Sequence, residues 1–98
     1  MAKGYWVTTY RSVSDPAALA KYGALAAPLI VASGGRFLAR GTPVRVLEGA
    51  GAEGQRCVVV EFDSVDAAVA AYESAEYQRA AKILDGAAER ELRIMEGA

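Results

Sequence analysis

Arg56-Cys57-Val58-Val59-Val60-Glu61-Phe62 is the most apolar strand-like run in the chain, and Ser64-Val65-Asp66-Ala67-Ala68-Val69 follows it after one residue. A strand with one wet face alternates apolar and polar residues. The unbroken run Cys57-Val58-Val59-Val60 therefore predicts burial on both faces. Ser64 is placed to cap a helix whose stripe is Val65, Ala68, Val69 and Tyr72. Ser74 offers a second cap, and Tyr77, Ala80, Ala81 and Leu84 continue the stripe, so the helix is expected to bend near Glu73-Ser74. Gly86 closes it, and Glu91 to Glu96 reads as the last strand.

Working back from Arg56, the stretch Glu48 to Gln55 holds Gly49, Gly51 and Gly54 and reads as a flexible loop. Val44 to Glu48 is strand-like, an extension beyond the Gly41-Thr42-Pro43 turn, and Arg36 to Arg40 is a short strand. The first helix starts at Ser14-Asp15-Pro16, where Asp15 can accept from free first-turn amides and Pro16 has no N–H to satisfy. Its stripe is Leu19, Tyr22, Ala26 and Leu29. Pro28 removes the bond to the Ala24 carbonyl, and Gly34-Gly35 ends the helix. Tyr5 to Arg11 is a strand with Tyr5, Val7 and Thr9 on one face and Trp6, Thr8 and Tyr10 on the other. Sequence leaves open which face meets the helices.

The order strand, helix, strand, strand, helix, strand is the split β-α-β pattern of ferredoxin-like folds. The fold class expected is α+β, one domain over residues 1–98, an antiparallel sheet with two helices on one face. Right-handed crossovers put both helices on the same side, and the two most hydrophobic strands, Tyr5 to Arg11 and Arg56 to Phe62, fall in the centre. Two helices cover one face only, yet both central strands are apolar on both faces. A second copy of the chain is the simplest cover, which predicts a homodimer packed through its sheet faces.

The chain has 98 residues, 11 basic and 12 acidic, for a formal net charge of −1. Nucleic-acid binding domains carry a basic excess, so none is expected. With one cysteine and no histidine, a Ser-His-Asp or Cys-His mechanism is excluded, an internal disulfide is impossible, and a zinc or copper site is not expected. No organic cofactor motif appears: the paired and clustered glycines do not form a phosphate-binding pattern. No run approaches the roughly 18–20 apolar residues of a membrane span, and no signal-peptide pattern opens the chain. A cytoplasmic protein is expected.

Several stretches together carry a resemblance: Lys3-Gly4-Tyr5-Trp6, Gly34-Gly35-Arg36-Phe37-Leu38-Ala39-Arg40-Gly41, Val46-Leu47-Glu48-Gly49, Val60-Glu61-Phe62 with Ser64, Tyr72-Glu73-Ser74-Ala75-Glu76-Tyr77-Gln78, and Glu96-Gly97. As a set they resemble the domain-of-unknown-function 1330 family of the dimeric α/β-barrel superfamily. The resemblance implies the ferredoxin-like fold, a dimeric barrel, and a cavity between sheet and helices in each subunit. The wider superfamily includes cofactor-free monooxygenases, lactone isomerases and stress-induced proteins, an analogy of fold only. The chain departs from the pattern at Ser33, Asp63, Ala75 and Asp85. Asp85 stands where a basic residue is common; if that residue helps bind an anionic ligand in the family, this chain is expected to bind something else.

The candidate catalytic groups are Tyr72, Glu61 and Arg40. Glu61 follows four apolar residues on a central strand, where a carboxylate has either a raised pKa or an ion-pair partner, Arg40 or Arg56. Arg40 could bind a carboxylate or form a salt bridge at the surface or dimer interface. The candidate ligand-binding residues are Trp6, Tyr22 and Tyr77. Each tyrosine falls on an apolar helical stripe, so core packing with a hydroxyl partner competes with a phenol that orients or protonates a substrate oxygen. Cys57 reads as a buried structural thiol. The function expected is a cofactor-free enzyme acting on a small, partly apolar carbonyl, phenol or lactone-like compound. The alternatives are a non-catalytic ligand-binding or stress-associated protein, and an interaction scaffold with a collapsed cavity.

Overall fold

The computed structural model describes residues 2–98, and Met1 lies outside the described residues. The chain forms β1 (Gly4–Val13), α1 (Pro16–Ala32), β2 (Arg36–Gly41), β3 (Cys57–Phe62), α2 (Val65–Glu73), α3 (Ala75–Ala81), a 3₁₀ turn (Lys82–Leu84) and β4 (Ala88–Glu96). The strands pair antiparallel in the order β2-β3-β1-β4, so the two most hydrophobic strands are central. This is the α+β ferredoxin-like architecture.

Register fixes the faces. Trp6 lies opposite Val60 and Ile94, Thr8 opposite Val58 and Leu92, and Tyr10 opposite Arg90. These residues face the helices, and Trp6, Tyr10, Val60 and Phe62 are buried there. The alternate set, Tyr5, Val7, Thr9, Cys57, Val59 and Glu61, lies on the face without helices and is half-buried. Two register shifts interrupt the ladder, at Leu38 in β2 and at Arg11 in β1. Each re-aims the following side chains, and the second stands beside the Tyr10–Arg90 pair.

The helix ends follow their local chemistry. The Asp15 carboxylate accepts from the Ala18 N–H at 3.1 Å, and the Ser64 hydroxyl accepts from the Ala67 N–H at 3.0 Å. The Ser74 hydroxyl accepts from the Tyr77 N–H at 3.2 Å, and extended backbone at Ser74 breaks the second helix into α2 and α3. Gly86, with φ 73°, adopts the left-handed conformation after the 3₁₀ turn. Gly4 has a steric role: a Cβ there would lie 2.5 Å from the Ser64 carbonyl oxygen, so β1 approaches the α2 cap only as glycine.

Three expectations change. Val44 to Glu48 forms no strand but part of an irregular segment between β2 and β3, with Val44 and Leu47 strongly exposed. Pro43 and the glycines on either side leave it no ladder partner. The buried α2 stripe is Ala68 and Ala71, and Tyr72 stands at its flank, half outside. Cys57 is half-buried on the helix-free face, with its thiol 3.9 Å from the Thr9 hydroxyl.

Candidate functional site: an arginine-ended cavity beneath the first helix

α1 does not close onto the sheet. The side chains it presents there include Ala20, Gly23, Ala26 and Ala27, which fill little volume, and a Cβ added at Gly23 would meet nothing within 4 Å. A cavity of about 300 Å³ remains between α1 and strands β1–β4. Its apolar part is lined by Trp6, Ile30, Phe37, Val58 and Val60, with Leu19 and Ala26 above. By contrast α2 and α3 pack tightly: Trp6 Nε1 donates to the Ala68 carbonyl at 2.9 Å, and the Trp6 ring meets Phe62, Tyr72 and Tyr77 at centroid separations of 5.3, 6.0 and 5.0 Å.

The other end of the cavity is polar. Arg90 of β4, half-buried, donates to the hydroxyls of Tyr77 at 3.0 Å, Tyr22 at 3.2 Å and Tyr10 at 3.4 Å. The Tyr22 and Tyr77 hydroxyls are themselves 2.7 Å apart. The Arg90 guanidinium also lies 5.1 Å from the Tyr22 ring centroid. Burial pushes the Tyr22 and Tyr10 phenols up from their ordinary value, so both are neutral at physiological pH. Arg40 and Arg56 line the same cavity, with the Arg40 guanidinium 4.4 Å from the Phe37 ring centroid. Among the described residues, no Asp, Glu, Lys or Cys side chain lines the cavity.

Of the residues singled out from sequence, Trp6, Tyr22 and Arg40 line this cavity, and Tyr77 reaches it through its bonds to Arg90 and Tyr22. Glu61 does not. It lies on the helix-free face, accepts from Tyr5 Oη and Arg36 Nε at 3.0 Å each, and makes its ion pair with Arg36 rather than Arg40 or Arg56. Those two donors hold its carboxyl below the usual carboxylate value, the opposite of a base poised by burial. Tyr72 lies outside the cavity too, on a wider polar depression of about 740 Å³ shared with Gln78, Lys82 and Asp85. Tyr10, Arg56 and Arg90 were missed. The available signal was parity: Arg90 alternates with Leu92 and Ile94, so a strand with those two residues inside has an arginine inside.

The chain matches the family described as domain of unknown function (DUF1330) over residues 3–98. The protein belongs to that family. No curated protein sequence matches the chain. Among solved structures, a protein of unknown function from Rhodopseudomonas palustris is similar with a TM-score of 0.76 at 21% identity, covering 99% of this chain and 83% of that one. SnoaB, a cofactor-independent oxygenase from Streptomyces nogalater, is similar with a TM-score of 0.71 at 15% identity, over 100% and 95% of the two chains. A dimeric ferredoxin-like protein of unknown function from Thermobifida fusca gives 0.66 at 14% identity, over 97% and 91%. At these identities the likeness is one of fold. Among the described residues no helix of this DUF1330 protein is long and apolar enough to cross a membrane.

Proposed function

We propose that this protein takes a small, partly apolar organic molecule with a carbonyl, phenol or lactone-like oxygen into the cavity beneath α1 and acts on it without a metal or organic cofactor. One observation carries the reading: an apolar cavity of about 300 Å³ ends in Arg90 and three phenols. Its volume is at the small end of ligand pockets, and apolar walls with a few convergent polar groups are their usual make-up. The walls supply affinity by removing apolar surface from water, and the polar end orients one oxygen.

The chemistry such a site offers is one-sided. Tyr10 and Tyr22, held neutral, can donate to an oxygen, and Arg90 can stabilise negative charge developing on it. Tyr77 positions Tyr22 and Arg90. Arg40, exposed at the mouth, would meet the incoming molecule. No lining group is a base at neutral pH, so a substrate must reach its ionised form through its own acidity. Likeness of fold to a cofactor-independent oxygenase is compatible with this and does not identify a reaction.

The lack of a base in the cavity favours, as second reading, a non-catalytic binder that holds its ligand without turnover. An open cavity of this size weighs against the collapsed scaffold. In either reading two copies pack through their helix-free sheet faces, which carry half-buried Val7, Cys57 and Val59 beside exposed Met95.

The test is to identify, by mass spectrometry, small molecules that co-purify with the protein, and to assay them with four variants. Tyr22→Phe and Arg90→Met should each weaken binding or turnover at least about tenfold, the usual scale for a lost charge-assisted contact. Tyr72→Phe and Glu61→Gln should leave both unchanged. Losses in the second pair with none in the first would remove the site from the cavity. Bound product forming over time selects the enzyme; unaltered ligand selects the binder.

A further inference from the structure

We infer that the occupant of this cavity is a small carboxylate, its acid group held by Arg90 and its apolar body lying beneath α1; this rests on the cavity being the ligand site. Arginines on the two faces of the sheet are treated differently. On the helix-free face Arg36 pairs with Glu61 and Asp63, and Arg11 and Arg93 both pair with Glu91. On the cavity side Arg40, Arg56 and Arg90 have no carboxylate within 4.0 Å among the described residues. The chain does not lack acids, with 12 of them. Glu91, the neighbour of Arg90, is turned by strand alternation to the face of Thr9.

A half-buried guanidinium without a counter-charge costs free energy that a bound anion would return. Arg90 also has the donors to hold one. A guanidinium carries five N–H donors, and three are directed at phenols, which leaves two without a protein acceptor among the described residues. The phenols add more. Only one hydrogen is needed between Tyr22 and Tyr77, so one of those hydroxyls and that of Tyr10 can donate to a ligand. An end built from N–H and O–H donors suits a group that only accepts, and an ionised carboxylate is such a group. A primary amide of the same shape brings its own N–H donors to a place already filled with donors. Arg40 is exposed at the mouth and Arg56 stands at the half-buried rim, so Arg90 is the one cation set among the phenols, where a singly charged acid fits better than a phosphate.

The test uses calorimetry on the whole protein with two acids of different shape, benzoate and 3-methylbutanoate, and their amides, benzamide and 3-methylbutanamide. The inference expects at least one acid to bind at least tenfold more tightly than its amide. It expects Arg90→Lys, which keeps the charge and loses the fork, to weaken that acid tenfold or more. Arg56→Gln, at the half-buried rim, serves if Arg90→Lys fails to fold, with a threefold loss or more expected. Arg36→Gln, on the other face, should change affinity by less than twofold. Amides binding as well as acids would overturn the carboxylate and leave the cavity reading standing. An acid whose affinity falls as much with Arg36→Gln as with the cavity variants would show surface charge attraction and overturn the inference. Failure of all four compounds to bind would overturn the cavity reading and the inference together.

Discussion

Arg90 gathers three phenols that the sequence spreads over β1, α1 and α3, and each hydroxyl accepts from its guanidinium. Tyr77 is the linchpin because it bonds both Tyr22 and Arg90 while itself fully buried. Tyr77→Phe keeps the ring edge-on against Trp6 but strips a partner from two half- or fully buried groups. It should lower stability by about 1–3 kcal/mol, read from urea unfolding. At the same scale, ligand affinity should be flat between about pH 6 and 9. Tyr10 and Tyr22 are raised by burial and stay protonated there, and arginine stays charged. A site run by Glu61 would instead lose function in acid. Glu61 belongs to a different effect. Its carboxyl is held low by the Tyr5 and Arg36 hydrogen bonds, and that of Asp63 by Arg36 and Lys3. A depressed folded-state pKa adds stability above the unfolded value, and this is lost as pH falls through the folded one. The stability advantage of the parent protein over Arg36→Gln should therefore be largest at neutral pH and shrink as pH drops below the ordinary carboxylate range, measured by unfolding at stepped pH.

α1 illustrates how an element makes a cavity by being under-filled. Its sheet-facing stripe alternates large anchors, Tyr22 and Ile30, with Gly23, Ala26 and Ala27, so the anchors set the spacing and the small residues leave the gap. Gly23 has ordinary helical surroundings and open space where a Cβ would go. Gly23→Ala should therefore stabilise the protein by about 0.5–1 kcal/mol through helix propensity, read as a raised melting temperature. Gly4 is the contrast, since Gly4→Ala drives a Cβ into the Ser64 backbone and should destabilise strongly.

For the whole molecule, the open sheet face is the outstanding surface. Val7, Val59 and Met95 lie across it, bordered by the Arg36–Glu61 and Arg11–Glu91 pairs. Pairing two such faces would bury the apolar strip and leave charges at the rim, the usual anatomy of an interface. Val59→Asp, outside the cavity, should convert a dimer to a monomer in sedimentation analysis. A parent protein that sediments as a monomer would remove the dimer.

Local chemistry was enough to assign the helices, the caps at Asp15, Ser64 and Ser74, the break between α2 and α3, and the central position of β1 and β3. Each is set by residues a few positions apart and by a period of two or three to four. The failed strand at Val44 to Glu48 shows the limit: its residues have strand propensity, but a strand exists only with a partner, and none pairs with it among the described residues. The site was half legible for the same reason. Trp6, Tyr22 and Arg40 could be named as candidates, since residue type alone suggests them. That Glu61 turns away while Arg90 turns in depends on which face of β1 receives the helices, and the register of β1 against β3 and β4 decides it. Ion pairing is also a tertiary fact. Sequence counts acids and bases as nearly equal, whereas the folded chain pairs Arg11, Arg36 and Arg93 with acids on one sheet face and leaves Arg40, Arg56 and Arg90 without one around a cavity.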